Sequence, residues 1–243
     1  MWWSWEKKII FLFFILISSI SFVNAKEIYY TNENKVSLTE EEYYFVSNMF
    51  YDGYQNLMTI DDYNIIFEAG NNSIQEIESK TIETFNYSRA TYHETPSKYF
   101  TIKKSCSSNC LITLVAEWKN NPNVRSYDVI GAYLDGVELM STPSTTAANT
   151  SSSNTSLEMV SDLNGFGISV KLPTGGNNMM VSQYFRVSTG GTVYGSYQHA
   201  TATISLANSK KYSISRNGFG GVFLFQSSVR DYYDAMGGVE IDV

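Results

Sequence analysis

From Thr81 to the end of the chain, apolar residues recur at every second position, and this alternation limits the fold more than any other feature of the sequence. Ile112, Leu114, Ala116 and Trp118 alternate with Thr113, Val115 and Glu117, and Ile168, Val170 and Leu172 alternate with Ser169 and Lys171. Ala200, Ala202, Ile204 and Leu206 alternate with Thr201, Thr203 and Ser205. Successive side chains of a strand point to opposite faces, so each run reads as a half-buried strand. Further strands are expected at 81–87, 98–103, 126–134, 179–187, 192–199, 211–215 and 221–225, with turns at Asn164-Gly165, Gly175-Gly176, Gly190-Gly191 and Asn217-Gly218. Many short strands with Gly and Asn punctuation indicate a mainly antiparallel, jelly-roll-like β-sandwich over 82–243.

The period is different before residue 81. In Leu38-Thr39-Glu40-Glu41-Glu42, Thr39 can accept from the amide of Glu42 while Glu42 reaches back, a capping box that starts a helix at Glu40. Tyr43, Val46, Phe50, Tyr54 and Leu57 follow at helical spacing as one aromatic-rich stripe. The signal returns at Thr59-Ile60-Asp61-Asp62, which predicts a second helix from Ile60 to about Glu68, ending before Gly70. The fold class is therefore α+β, with a two-helix segment over 26–81 ahead of the sandwich. Charge divides the chain at the same place: residues 26–81 hold three lysines against eleven carboxylates, whereas 82–243 hold twelve basic and twelve acidic side chains.

Residues 1–25 carry Lys7 and Lys8, an unbroken apolar run from Ile9 to Ile17, and Ala25 at a small-residue boundary. That order predicts a signal peptide cleaved before Lys26; the apolar run is shorter than the roughly 20 residues of a spanning helix. The expected location is secreted or cell surface, with no stable membrane insertion after cleavage. The sequence contains two cysteines, Cys106 and Cys110, and outside the reducing cytosol this pair is expected to close a disulfide across a tight turn. An acidic exported chain without clustered Lys and Arg is not expected to bind nucleic acid.

The tract 141–156 is uncharged and built from Ser, Thr, Ala, Asn and one Pro, a composition that predicts a mobile loop. Asn-x-Ser/Thr sites occur at Asn71, Asn86, Asn149 and Asn154. Neither Asp52-Gly53 nor Asp61-Asp62 has the spacing of a calcium loop, and no metal-ligand or cofactor motif is present, so no metal or cofactor is expected.

Two histidines limit the chemistry available. His93 lies in Tyr92-His93-Glu94 and reads as a surface residue. Tyr197, His199, Thr201 and Thr203 are expected on one strand face opposite Ala200, Ala202, Ile204 and Leu206, either open to a polar ligand or, the favoured reading, seated under the helices. Trp118 groups with the core face of its strand but could stack on a sugar ring. Tyr197, His199, Thr201 and Trp118 are thus the candidate ligand-binding residues, and no catalytic residue is assigned. The function expected is a noncatalytic exported module binding an extracellular protein or glycan. The alternatives are a glycosidase-like hydrolase drawing on Glu117, Asp128, Glu138 or Glu158, which must face one another in pairs across a cleft, and a structural or assembly component of the cell surface.

Overall fold

The computed structural model describes residues 27–51, 53–68, 78–88, 91–156, 158–216, 222–234 and 238–243, with backbone alone at 68, 78–88, 91–96 and 156. The expected leader, Asn71 and the Asn217-Gly218 turn lie outside the described residues, and so do the side chains of Asn86 and His93.

Both capping boxes are present. Thr39 Oγ1 accepts from Glu42 N at 3.3 Å while Glu42 Oε2 accepts from Thr39 N at 2.9 Å, and helix α1 runs Glu40–Met49. The stripe does not continue as one helix, because Gly53 has φ 96°, a left-handed turn from which the short helix α2, Tyr54–Leu57, starts afresh. Thr59 and Asp62 exchange the same pair of bonds ahead of α3, Ile60–Tyr63, which widens into a π-helical turn over Asn64–Glu68.

Ahead of α1, β1 (Tyr30–Thr31) pairs with β2 (Ser37–Leu38), and the body that follows is antiparallel throughout, in two main sheets. One contains β3 (Glu78–Ser88), β4 (Thr91–Cys106), β5 (Cys110–Trp118), β11 (Met180–Val187), β7 (Ser144–Ala148) and β8 (Ser153–Ser156) in that spatial order. The other contains β15 (Val239–Asp242), β12 (Thr192–Gln198), β6 (Tyr127–Asp135), β10 (Gly165–Lys171) and β9 (Met159–Asp162). Their inner faces interdigitate through Phe100, Ile112, Leu114 and Phe185 from the first sheet and Ile130, Phe166, Val170, Val193 and Tyr197 from the second. Cys106 and Cys110 are bonded with an S–S distance of 2.02 Å, closing the β4–β5 turn.

Both outer faces are also covered. Leu111 and Val115 point away from the central core and pack with Phe45, Met49, Phe50 and Tyr54 of the helical segment. β5 is thus buried on both faces rather than half-buried, which is why its sequence has so few polar breaks. Against the second sheet, the hairpin of β13 (Tyr212–Ile214) and β14 (Phe223–Phe225) packs with Val229 and Tyr233 over Val129 and Tyr194.

Two expectations are corrected. The tract 141–156 is not an open loop: it supplies β7 and β8, with β7 paired to β11 on one side and β8 on the other, and Ala147 in the main core. Ladder pairing on both edges replaces the apolar side chains that composition lacks, and Gln183 Nε2 adds a bond to Thr145 Oγ1 at 2.9 Å. Asn149 Oδ1 accepts from Ser151 N and Ser152 N to form the connecting turn, and Asn154 Nδ2 donates to Lys171 O, so both amides are engaged within the chain. The second correction concerns 200–206, where no strand forms. β12 ends at Gln198, Ala200 makes one bridge to Tyr233, and Leu206–Ser209 forms the short helix α4.

The helices have no basic residue in their last turns, and the sheet provides the cations instead. Lys103 Nζ donates to Asn48 O at 2.7 Å and Phe50 O at 3.3 Å, at the end of α1. Arg186 is buried; its Nε donates to Ile65 O and its Nη2 to Ile66 O, each at 2.7 Å, and its Nη1 donates to Asn109 Oδ1. Burial pushes the Arg186 pKa down, yet its donors are matched by carbonyls that would otherwise be orphaned at a helix end. Asp62 accepts from the Tyr184 hydroxyl, a third tie between helix and sheet.

Replacing Arg186 by Met keeps the apolar stem and removes the donors, so it should destabilise the chain by about 3 kcal/mol in denaturant unfolding. Limited proteolysis should then cut within 39–68 before the sandwich. Arg186→Lys should recover only part of the loss, because an ammonium cannot span the separate acceptors; full recovery would show that charge alone holds the helix end.

Candidate functional site

The inward-facing residues at one end of the sandwich are polar. Lys98 opens the segment of β4 that pairs with β5, opposite Trp118. Asp128 lies at the start of β6, Tyr197 near the end of β12, His199 just beyond it, and Asp234 on the C-terminal segment. Lys98, Trp118, Asp128 and Tyr197 occupy inward positions of their strands and His199 follows β12, so the two sheets converge on a single cluster that Asp234 joins.

Asp128 is fully buried. Its Oδ1 accepts from Ala200 N at 2.9 Å, its Oδ2 accepts from the Tyr197 hydroxyl, and both oxygens lie 3.0 Å from His199 Nδ1. Trp118 Nε1 donates to Tyr197 Oη at 3.3 Å, and the His199 ring meets the Trp118 ring edge-on with centroids 4.5 Å apart. Lys98, 1 % exposed, pairs with Asp234 and lies 4.8 Å over the Trp118 ring and 5.6 Å over the Tyr197 ring. Asp234 Oδ1 accepts from His199 N at 2.7 Å, and Asp234 N donates to His199 O at 3.0 Å. Burial, reinforced by the Asp128 charge, holds the Tyr197 hydroxyl well above its ordinary pKa.

Three of the four residues chosen from sequence therefore meet: Trp118, Tyr197 and His199. Thr201 does not join them; its hydroxyl donates to Tyr232 O at 3.1 Å in an exposed stretch. The facing of Tyr197 and His199 is the reverse of the expectation. Val193, Gly195 and Tyr197 form the core side of β12, and the apolar alternation at 200–206 lies outside the strand and has opposite parity. Nor do the helices cover His199, since they rest on the other sheet. Lys98, Asp128 and Asp234 complete the cluster, and Asp128 enters it as a buried acceptor rather than as a hydrolytic carboxylate.

The carboxylates considered for hydrolysis are dispersed. Glu117 and Glu138 are exposed, Glu158 pairs with Lys210 at the surface, and Asp128 is enclosed by its donors. His199 is oriented through Nδ1, as a base would be, but no described hydroxyl or thiol is hydrogen-bonded to Nε2. Among the described residues no group of three His, Cys, Asp or Glu is placed to hold a metal ion. The cluster joins four strands and the C-terminal segment, and its chemistry is that of a buried polar tie.

A second group of aromatic residues lies at the surface. Tyr29, Tyr30, Tyr43 and Tyr44 gather where β1 (Tyr30–Thr31) meets α1, with ring centroids 5.3 to 6.2 Å apart. Tyr30 donates to Asn56 Oδ1, and the Tyr43 hydroxyl accepts from Gln55 Nε2 at 3.0 Å, so these two rings are braced from below. Tyr29 and Tyr44 are 52 % and 51 % exposed, and Ile28 beside them is 61 % exposed. Tyr43 belongs to the aromatic stripe expected of α1, whereas Tyr29 and Tyr44 lie outside it; the recurrence of Tyr-Tyr at 29–30 and 43–44 is the signal in the sequence. Among the described residues no helix is long and apolar enough to cross a membrane.

Breaking the buried ion pair with Lys98→Met should cost roughly 3 to 5 kcal/mol, and combining it with Asp234→Asn should cost less than the sum of the two single changes. Additive losses would show that the pair is uncoupled. Six tyrosines, at 51, 54, 184, 197, 212 and 233, have pKa values raised, in each case chiefly by burial. The unfolded chain ionises them near pH 10 while the folded chain retains their protons, so stability should be constant near neutrality and fall as pH rises above about 10. Denaturant midpoints measured across that range, with tyrosinate absorbance followed in parallel, check the sign; unchanged stability at pH 11 would contradict it.

No family model matches the chain, and comparison with curated proteins finds no match.

Proposed function

We propose that the chain is an exported, noncatalytic β-sandwich module that binds a protein or glycan at the cell exterior, and that the tyrosine cluster beside α1 is its contact surface. The carrying observation is the pairing of exposure with bracing: Tyr29 and Tyr44 present half their surface while Tyr30 and Tyr43 are hydrogen-bonded beneath them. Rigid tyrosines supply contact area at little conformational cost, and their hydroxyls add polar complementarity. This surface takes over the role first considered for Trp118, Tyr197 and His199, whose rings are occupied with one another in the interior. Support for the exterior comes from the leader-like residues 1–25 and from the Cys106–Cys110 bridge, a bond that persists in oxidising compartments.

Two measurements test the reading. Mass spectrometry of the extracellular fraction should find the chain beginning at Lys26; recovery only inside the cell with residues 1–25 attached overturns the export claim. The purified chain should bind a member of a panel of immobilised glycans and extracellular proteins, and Tyr29→Ser/Tyr44→Ser should weaken that binding at least about tenfold, the 1.4 kcal/mol scale of a modest aromatic hot spot. Equal binding by the folded variant removes the tyrosines from the interface.

A further inference from the structure

The exposed tyrosines stand in the acidic part of the chain: residues 26–81 hold eleven carboxylates against three lysines. Glu40 and Glu41 are exposed on the first turn of α1. Tyr44 follows them by four and three residues, spacings that make side chains neighbours on a helix surface. Glu40 also acts on Tyr29, whose hydroxyl is held above its ordinary pKa first by the neighbouring Tyr44 hydroxyl and, in the same direction, by the Glu40 charge. The patch therefore offers two tyrosine faces with carboxylates at their edge.

That arrangement receives cations. A guanidinium or ammonium is attracted by the ring face and paired by the carboxylate at once. The chain contains the same arrangement internally: Arg216 lies 4.2 Å over the Tyr194 ring with its Nη1 3.6 Å from Asp135. Lys119 Nζ likewise lies 4.0 Å over the Tyr99 ring. At the Ile28, Tyr29 and Tyr44 surface the rings and acids are in place, and no cation of the described chain pairs with Glu40 or Glu41. An acidic partner would be repelled there, and an uncharged sugar would use the rings but leave the carboxylates unanswered.

We propose that this face docks a Lys- or Arg-rich segment of a partner protein, an inference that rests on the binding reading above. The carboxylates select the sign of the partner and the rings supply the contact area and the register.

The test uses the purified full chain against three immobilised probes: a short peptide of repeated Arg-Gly-Ser, its Glu-Gly-Ser counterpart, and a panel of neutral glycans. Two double variants separate the contributions, Tyr29→Ser/Tyr44→Ser, which keeps the charge, and Glu40→Gln/Glu41→Gln, which keeps the rings. Neither removes a member of the capping box, and circular dichroism confirms that α1 survives. The expected result is binding to the Arg peptide alone, weakened about fivefold or more by each variant and further by added salt. If the Arg peptide binds the tyrosine variant as well as the parent, attraction is to the acidic surface at large and the proposal falls. If only a glycan binds, with loss in the tyrosine variant and none in the glutamate variant, the cationic partner is overturned while the binding surface stands. If no probe depends on Tyr29 and Tyr44, both readings fall together.

Discussion

The placement of the helical segment depends on cations contributed by the sheet it covers. Lys103 and Arg186 project from the outer face of the six-stranded sheet and donate to the carbonyls at the ends of α1 and of the π-helical turn. The helices themselves end without basic residues, so their terminal carbonyls would otherwise be left to solvent or orphaned. With this anchorage, Phe45, Met49, Phe50 and Tyr54 close over Leu111 and Val115, and β5 becomes a strand with two buried faces. Asn109, fixed in the turn that Cys106 and Cys110 close, holds the third corner of the Arg186 guanidinium. Disulfide, turn, strand and helix are thereby mechanically continuous.

The opposite requirement operates at the end of the sandwich, where the core has to stop. Lys98, Asp128, Trp118, Tyr197, His199 and Asp234 fill that end with groups that satisfy one another, and two backbone amides, of His199 and Ala200, join the carboxylates. Buried charges are tolerated when they are paired and hydrogen-bonded, and this cluster meets that condition through ring, hydroxyl and main chain. The result is a tie whose polar atoms face inward. An exposed aromatic surface lies instead where β1 meets α1.

Much of the architecture was legible because it rests on local chemistry. Thr39 with Glu42 and Thr59 with Asp62 can satisfy helix amides only in one way, and both helices start where those residues require. Cys106 and Cys110 could pair only with each other. The strands at 110–118, 127–135, 165–171 and 180–187 follow from alternation bounded by turn residues. Composition misled at 141–156, because Ser and Thr in β7 are stabilised by two neighbouring strands that no local window contains. Alternation misled at 200–206, because a period of two is necessary for a strand but does not supply the ladder that β12 has up to Gln198, beyond which Ala200 makes a single bridge to Tyr233. Trp118, Tyr197 and His199 do meet, but their facing was not readable, because a period of two no longer governs side-chain direction once a strand stops.

The sequence by itself determined the helix starts, the disulfide, the period-two body and the segregation of negative charge into residues 26–81, because each depends on residues close in the chain or on simple composition. The tertiary structure alone decided which strand cations cap which helix ends, that Lys98 and Asp234 would meet across 136 residues, and that Tyr29 and Tyr44 would remain outside while Tyr54 and Tyr184 went in. Those outcomes depend on contacts between distant segments, and a side chain's partner across such a distance is set by how whole sheets and helices pack, not by the residues beside it.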